Sequence, residues 1–156
     1  MAVFKYKLQN VLDIKLRMED QARAVYGSAQ AKLNEEEMKR DLLINRRREY
    51  EEAGKRMREN ILNVMDLRDN TRAIDNLKEQ IEEQEKNVVQ AAKVVEQARL
   101  RLTEAIQERK IHEKLKENSF EEFKREVNAA ESKEVDELVS YTYGERIKKN
   151  NQTDSE

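Results

Sequence analysis

The chain has 156 residues, of which 41% are charged and only 5% aromatic, with Gly 3, Pro 0 and Cys 0. So little large apolar material cannot fill an ordinary globular core, and without cysteine neither disulfides nor thiolate chemistry are available. The 31 basic and 33 acidic residues nearly cancel, to a net charge of −2, which is not the footprint of a nucleic-acid binder.

Met1-Ala2-Val3-Phe4 runs straight into Lys5, Tyr6 and Lys7 without an apolar core. No secretory leader is therefore expected, and no stretch further along is apolar enough to span a bilayer. Disorder is the competing reading of so polar a chain. Against it, apolar residues recur at alternating three- and four-residue steps, and no proline interrupts them. The expected fold is all-α: a long two-helix antiparallel coiled-coil hairpin over 1–144, the second helix longer and projecting.

Helix one is expected from about residue 4 to about 58. Its apolar positions are Met18, Ala22, Val25, Ala29 and, after a polar gap, Leu43. Gly27 and Gly54 fall inside it, each at a cost of about 1 kcal/mol relative to alanine, and Gly54 reads as a weakened last turn. The tip is expected at about 59–63, where Asn63 followed by Asp66 has the pattern of an N-cap with an acidic first turn. A tip at Asp69-Asn70-Thr71 is the alternative.

Helix two is expected over about 64–143, with Leu77, Ile81, Val88, Ala91, Val95, Ala98 and Leu102 as its apolar positions. Position numbers of matched residues in the two helices sum to one constant: Met18 with Leu102, Ala22 with Ala98, Val25 with Val95, Ala29 with Ala91, Leu43 with Leu77. That is the arithmetic of an antiparallel pair. Two polar interruptions follow from it, Glu36 opposite Gln84 and Lys32 opposite Val88, and such layers fix register at some loss of stability. Gly144 is the expected stop, with 145–156 a disordered tail.

The same register sets Lys116 level with Phe4 and His112 opposite Leu8. Residues 117–143 would then extend as unpaired helix for about 40 Å. Leu115, Phe120, Phe123, Val127, Val135, Leu138 and Val139 would lack an intramolecular partner, inviting self-association, back-folding or docking into another protein.

Catalytic chemistry is not indicated, and no catalytic, cofactor or metal site is expected. The single histidine, His112, has Arg109 three residues before it, so the Glu-x-x-His pattern of dimetal bundles fails. The isolated glycines form no phosphate loop. Two basic runs remain, Arg46-Arg47-Arg48 and Lys55, Arg56 with Arg58. They read as a solvated helix face, or as a surface for an acidic partner or anionic lipid.

Three segments carry a family resemblance: Phe4-Lys5-Tyr6-Lys7-Leu8-Gln9-Asn10-Val11-Leu12-Asp13-Ile14-Lys15, Glu108-Arg109-Lys110-Ile111-His112-Glu113-Lys114-Leu115-Lys116-Glu117, and Glu131-Ser132-Lys133-Glu134-Val135-Asp136-Glu137-Leu138. In this order and spacing they resemble the FliJ family of flagellar export proteins, over about residues 2 to 143. The resemblance implies a cytoplasmic component of the type III export apparatus, peripheral at the inner membrane and similar in shape to the central stalk of rotary ATPases. Its implied partners are the hexameric export ATPase, the cytoplasmic domain of the export gate and export chaperones, with the isolated chain a monomer.

Carried over by position, the implied ATPase-facing residues are Phe4, Tyr6, Leu8, Gln9, Leu12, Lys133, Asp136, Glu137 and Leu138. The unpartnered aromatics Phe120 and Phe123 join them. The implied gate-facing residues are Leu43, Arg46, Tyr50, Ala73, Leu77, Gln80 and Gln84. A self-associating coiled-coil adaptor or scaffold is the alternative to the export role.

Overall fold

Long runs of Leu, Ala, Glu, Lys, Arg and Gln without proline favour continuous helix. The chain uses them in two pieces, α1 (Gln9–Glu59) and α2 (Val64–Thr153). The computed structural model describes residues 2–60 and 63–153. The helices form an antiparallel hairpin, with α2 the longer at 90 residues against 51. At the turn, the Asn63 carboxamide oxygen accepts the Met65 amide at 3.0 Å, an N-cap followed by Asp66 in the first turn. Positions 61 and 62 of the expected tip lie outside the described residues.

Both outer helix ends differ from expectation. Helix α1 begins at Gln9 rather than near Phe4, and residues 2–6 are irregular. Tyr6 accepts the Gln9 amide at 3.2 Å and Leu8 accepts those of Val11 and Leu12, which starts the helix there. Helix α2 runs through Gly144 to Thr153, so 145–153 are helical rather than a disordered tail, and 154–156 lie outside the described residues. A glycine stops a helix by turning left-handed, and none of the glycines has positive φ. The Tyr141 hydroxyl spans the position by donating to Glu145 at 3.0 Å.

The chain divides into two compact units: a hairpin body, Leu16–Gln107, and a terminal unit made of residues up to Lys15 together with those from Glu108 onward.

In the hairpin body, the positions of α2 turned from solvent step by three and four without a break, among them Asn70, Leu77, Ile81, Gln84, Ala91 and Ala98. Two hydrogen bonds fix the register. The Gln84 amide donates to the Glu36 carboxylate at 2.6 Å and to its backbone carbonyl at 2.9 Å. The Asn70 amide donates to the Tyr50 carbonyl at 2.9 Å. Both pairs obey the constant sum read from the sequence.

On α1 the seam differs from the expected one. Met18 and Val25 are exposed, at 45% and 52%. Glu19 is buried, and Tyr26 and Leu33 are half-buried in place of Val25 and Lys32. Steps of three and four counted from Ala22, Ala29 and Glu36 arrive at these residues, and a seam on α2 that keeps a seven-residue repeat requires the same of its partner. Glu19 is tolerated because Arg23 donates to its carboxylate at 2.8 Å. Lys32, expected on the seam, is exposed and reaches the Glu36 carboxylate at 2.9 Å.

The Glu36 layer is charge-assisted on several sides. The ammonium of Lys32 first, then the Gln84 amide, hold the Glu36 carboxyl down at about 2. Beside it, the small pair Ala29 and Ala91 leaves a groove of about 350 Å³. Towards the tip, Gly54 is buried and faces Asn70; a Cβ at Gly54 would lie 2.7 Å from the Asn70 carboxamide oxygen. Gly54 is thus not a frayed last turn. Its missing side chain is what lets Asn70 reach the Tyr50 carbonyl across the seam.

Two outcomes follow for thermal unfolding followed by circular dichroism. Gly54→Ala gains about 1 kcal/mol of helix propensity but displaces a buried hydrogen-bonded amide, which costs about 1–3 kcal/mol. Alone it is expected to lower the midpoint; in an Asn70→Ala background the same substitution is expected to raise it.

The Glu36 carboxyl has a folded pKa below its unfolded one. Its contribution is therefore complete above about pH 4.5 and lost as pH falls through about 2. Comparison of the chain with Glu36→Gln across that window is expected to show a smaller acid loss of stability in the variant.

Candidate functional site

The terminal unit combines the chain's first residues with the later part of α2. Leu12 is its best-buried side chain, 4% exposed. On α2 the three-and-four pattern of half-buried positions continues through Arg109, His112, Lys116, Ser119, Phe123 and Val127. Polar links tie the two strands. The Lys15 ammonium pairs with the Glu108 carboxylate at 2.8 Å, and Lys116 donates to the Gln9 carboxamide at 2.7 Å. The hydrogen bond from Lys15, reinforced by its charge, pulls the Glu108 carboxyl below the ordinary range.

Ahead of α1 the backbone leaves the helical path, so it covers more of α2 per residue: about 3.3 Å in extended form against about 1.5 Å in helix. This carries Phe4 onto the aromatics of α2. Its ring lies 5.1 Å from that of Phe120, edge-on, and 5.4 Å from that of Phe123. The Lys124 ammonium sits 4.9 Å from the Phe120 ring centre. Phe120 and Phe123 therefore have an intramolecular partner, contrary to expectation: Phe4 lies against them and not level with Lys116.

Val3, Phe4, Tyr6, Ser119, Phe123 and Glu126 are among the residues lining a cavity of about 730 Å³ beneath this segment. Two buried polar atoms, the Tyr6 hydroxyl oxygen and His112 Nδ1, have no hydrogen-bond partner among the described residues. Leu8, expected opposite His112, is exposed.

Beyond Val127 the character of α2 changes. Every residue from Asn128 to Tyr143 is exposed. Among them Val135, Leu138 and Val139 are large and apolar, and Leu138 is 65% exposed. With Thr142 they share a stripe of about 100° on the helix surface, the width of a face that packs on another element. Asp136 lies beside it, while Lys133 and Glu137 fall on the opposite side of the helix; all three are exposed.

Of the implied ATPase-facing residues, Phe4, Tyr6, Gln9, Leu12, Phe120 and Phe123 form the clasped part of this unit, while Leu8, Lys133, Asp136, Glu137 and Leu138 are open to solvent. The implied gate-facing residues lie in the hairpin body. Leu77 and Gln84 are buried in its seam, Leu43 and Ala73 are half-buried, and Arg46, Tyr50 and Gln80 are exposed. Val135 and Val139 complete the stripe of Leu138, and their i, i+4 spacing was the signal that joins them to it.

Among the described residues, no group of histidine, cysteine or carboxylate side chains could hold a metal ion. Among them too, no helix is long and apolar enough to cross a membrane. Nothing in this geometry positions a nucleophile against a base. What it offers is an apolar, charge-flanked helix face and an aromatic clasp.

Comparison with known proteins agrees in fold. The family described as Flagellar FliJ protein matches residues 4–148. Among solved structures, one described as a YscO homolog, CT670 from Chlamydia trachomatis, aligns with a TM-score of 0.56 at 24% identity, covering 90% of this chain and 96% of that one. That likeness concerns the fold alone. No curated relative matches the sequence.

Phe4→Ala is expected to loosen the clasp. An aromatic pair is worth about 0.5–1.5 kcal/mol beyond the area it buries. Limited trypsin digestion is therefore expected to cut after Lys5 and Lys7 on the order of tenfold faster in the variant, with cleavage within 64–107 unchanged.

Proposed function

Since the chain belongs to the FliJ family, we propose that it is a non-enzymatic component of the flagellar type III export apparatus whose terminal unit docks on the export ATPase ring. The observation that carries this reading is the bare stripe of Val135, Leu138 and Val139. A single helix that leaves such residues in water is stabilised by burying them, at roughly 1.5–3 kcal/mol for each side chain fully covered. Asp136 beside the stripe gives a rim charge, and Lys133 and Glu137 round the helix add to the field that steers association.

Promotion of ring assembly and of ATP hydrolysis follows if the same helix bridges neighbouring subunits. In the hairpin body, the exposed members of the gate-facing set, Arg46, Tyr50 and Gln80, are those open to the cytoplasmic domain of the export gate. Leu77 and Gln84 act there by holding the seam. A peripheral position at the cytoplasmic face of the inner membrane, and the escort of export chaperones, complete the proposed role.

Leu138→Asp combined with Val139→Asp is the direct test. Both side chains are exposed, so helicity and unfolding midpoint are expected to stay as they are. Binding to the export ATPase, and the rise in ATP hydrolysis that binding causes, are expected to fall by at least about tenfold. Unchanged binding would overturn the proposal. If sedimentation instead gave a stable dimer that the double substitution turned into a monomer, with no ATPase binding in either form, the chain would be a self-associating scaffold.

A further inference from the structure

At the turn end of the hairpin body, the first three turns of α2 put apolar and cationic side chains on one face. Val64, Arg68 and Arg72 follow at four-residue steps, and with Leu67, Thr71 and Asp75 they line an open groove of about 480 Å³. By helical phase Asp66 and Asp69 fall on the far side of α2, which leaves Asp75, at the end of the groove away from the turn, as its one carboxylate. Val64 and Met65 are 68% and 62% exposed. Lys55, Arg56 and Arg58 stand in the last turns of α1, with Arg56 lining a separate groove together with Asn63 and Asp66.

Some of the chain's cations are neutralised within it, while others, among them those at the turn, are not. Lys15, Arg23, Lys32, Lys39 and Arg47 each have a carboxylate within ion-pair reach. Among the described residues, Arg56, Arg58, Arg68 and Arg72 have none. Two guanidinium groups four residues apart repel each other on a free helix, so the Arg68 and Arg72 pair has no structural return within the chain. Guanidinium groups alternating with exposed aliphatic side chains are suited to a surface that is anionic outside and apolar just beneath. A purely acidic protein face would satisfy the arginines and leave Val64 and Met65 uncovered.

We propose that the turn end of the hairpin body is a contact site for an anionic phospholipid surface: Arg68 and Arg72, with Arg58, take phosphate groups, while Val64 and Met65 enter the headgroup layer. Each basic side chain near such a surface adds a favourable increment that salt screens, and the two aliphatic side chains add one that salt leaves intact. The site lies outside the terminal unit and does not rest on the ATPase reading.

The test is co-sedimentation of the full chain with phosphatidylcholine vesicles, with and without phosphatidylglycerol. Binding is expected only with phosphatidylglycerol, and it should weaken as salt is raised. Arg68→Glu with Arg72→Glu is expected to reduce partitioning on the order of tenfold or more. Val64→Asp with Met65→Asp should reduce it as well, with helicity and ATPase stimulation unchanged in both variants. Lys148→Glu with Lys149→Glu, a basic pair at the far end of α2, should have no effect.

Several results would overturn the proposal: equal binding to neutral vesicles, no binding to either, or binding lost through the Lys148 and Lys149 substitutions but not through those at the turn. Capture of an acidic polypeptide by Arg68 and Arg72 without any vesicle binding would overturn it in favour of a protein partner.

Discussion

The hydrogen bonds from Gln84 to Glu36 are the constraint on which the hairpin body depends. A seam lined by Ala22, Ala29, Ala91 and Ala98 buries little area, and a regular seven-residue repeat looks much the same after sliding by seven. Sliding one helix by that much would set Gln84 against Ala29 or Leu43 and leave the Glu36 carboxylate against Ala91 or Leu77. A buried charge without its partners is expensive, whereas the native layer satisfies it from Gln84, Lys32 and Lys39. Asn70 against Gly54 and Tyr50 makes a second lock nearer the turn. Polar residues thus specify the pairing while the apolar ones supply its cohesion.

In the terminal unit the division of labour differs. Aromatic contacts of Phe4 with Phe120 and Phe123, not a polar layer, hold the chain's first residues to α2. Because those residues leave the helical path, a short segment covers α2 as far as Phe123, with Val127 the last half-buried position before Gly144. Past it the helix keeps its apolar spacing with nothing of this unit against it. The stripe of Val135, Leu138 and Val139 belongs to a family whose members serve flagella, and a helix face complete except for its partner is what an assembly component requires.

The sequence carried the fold class and the constant pairing sum openly, because three-and-four spacing in a proline-free chain admits few other structures. It misled where an apolar residue stood next to the true seam position. Met18 and Val25 attract a hydrophobicity reading, yet the seven-residue repeat from α2 demands Glu19 and Tyr26, and Arg23 makes the first of these tolerable. Gly144 looked like a stop, but a glycine without a left-handed turn only weakens a helix that its neighbours continue. The clasp was hidden for a different reason. Phe4 reaches Phe120 and Phe123 because the backbone before Gln9 is not helical, and helical periodicity does not report where helix begins. For the candidate site, family resemblance pointed to Leu138 and its charged neighbours, and the structure leaves these exposed. That Phe120 and Phe123 already have a partner in Phe4, and that Leu77 and Gln84 face inward, required side-chain packing to see.

Site-specific photo-crosslinking to the export ATPase is the measurement that bears most directly on the central claim, that the uncovered face of α2 in the terminal unit is where a partner binds. With a photoreactive residue at position 138 or 135, the account predicts crosslinks to the ATPase. With the same residue at exposed positions 89 or 100 of the hairpin body, it predicts none. Crosslinks arising from 89 or 100 and absent from 135 and 138 would contradict it.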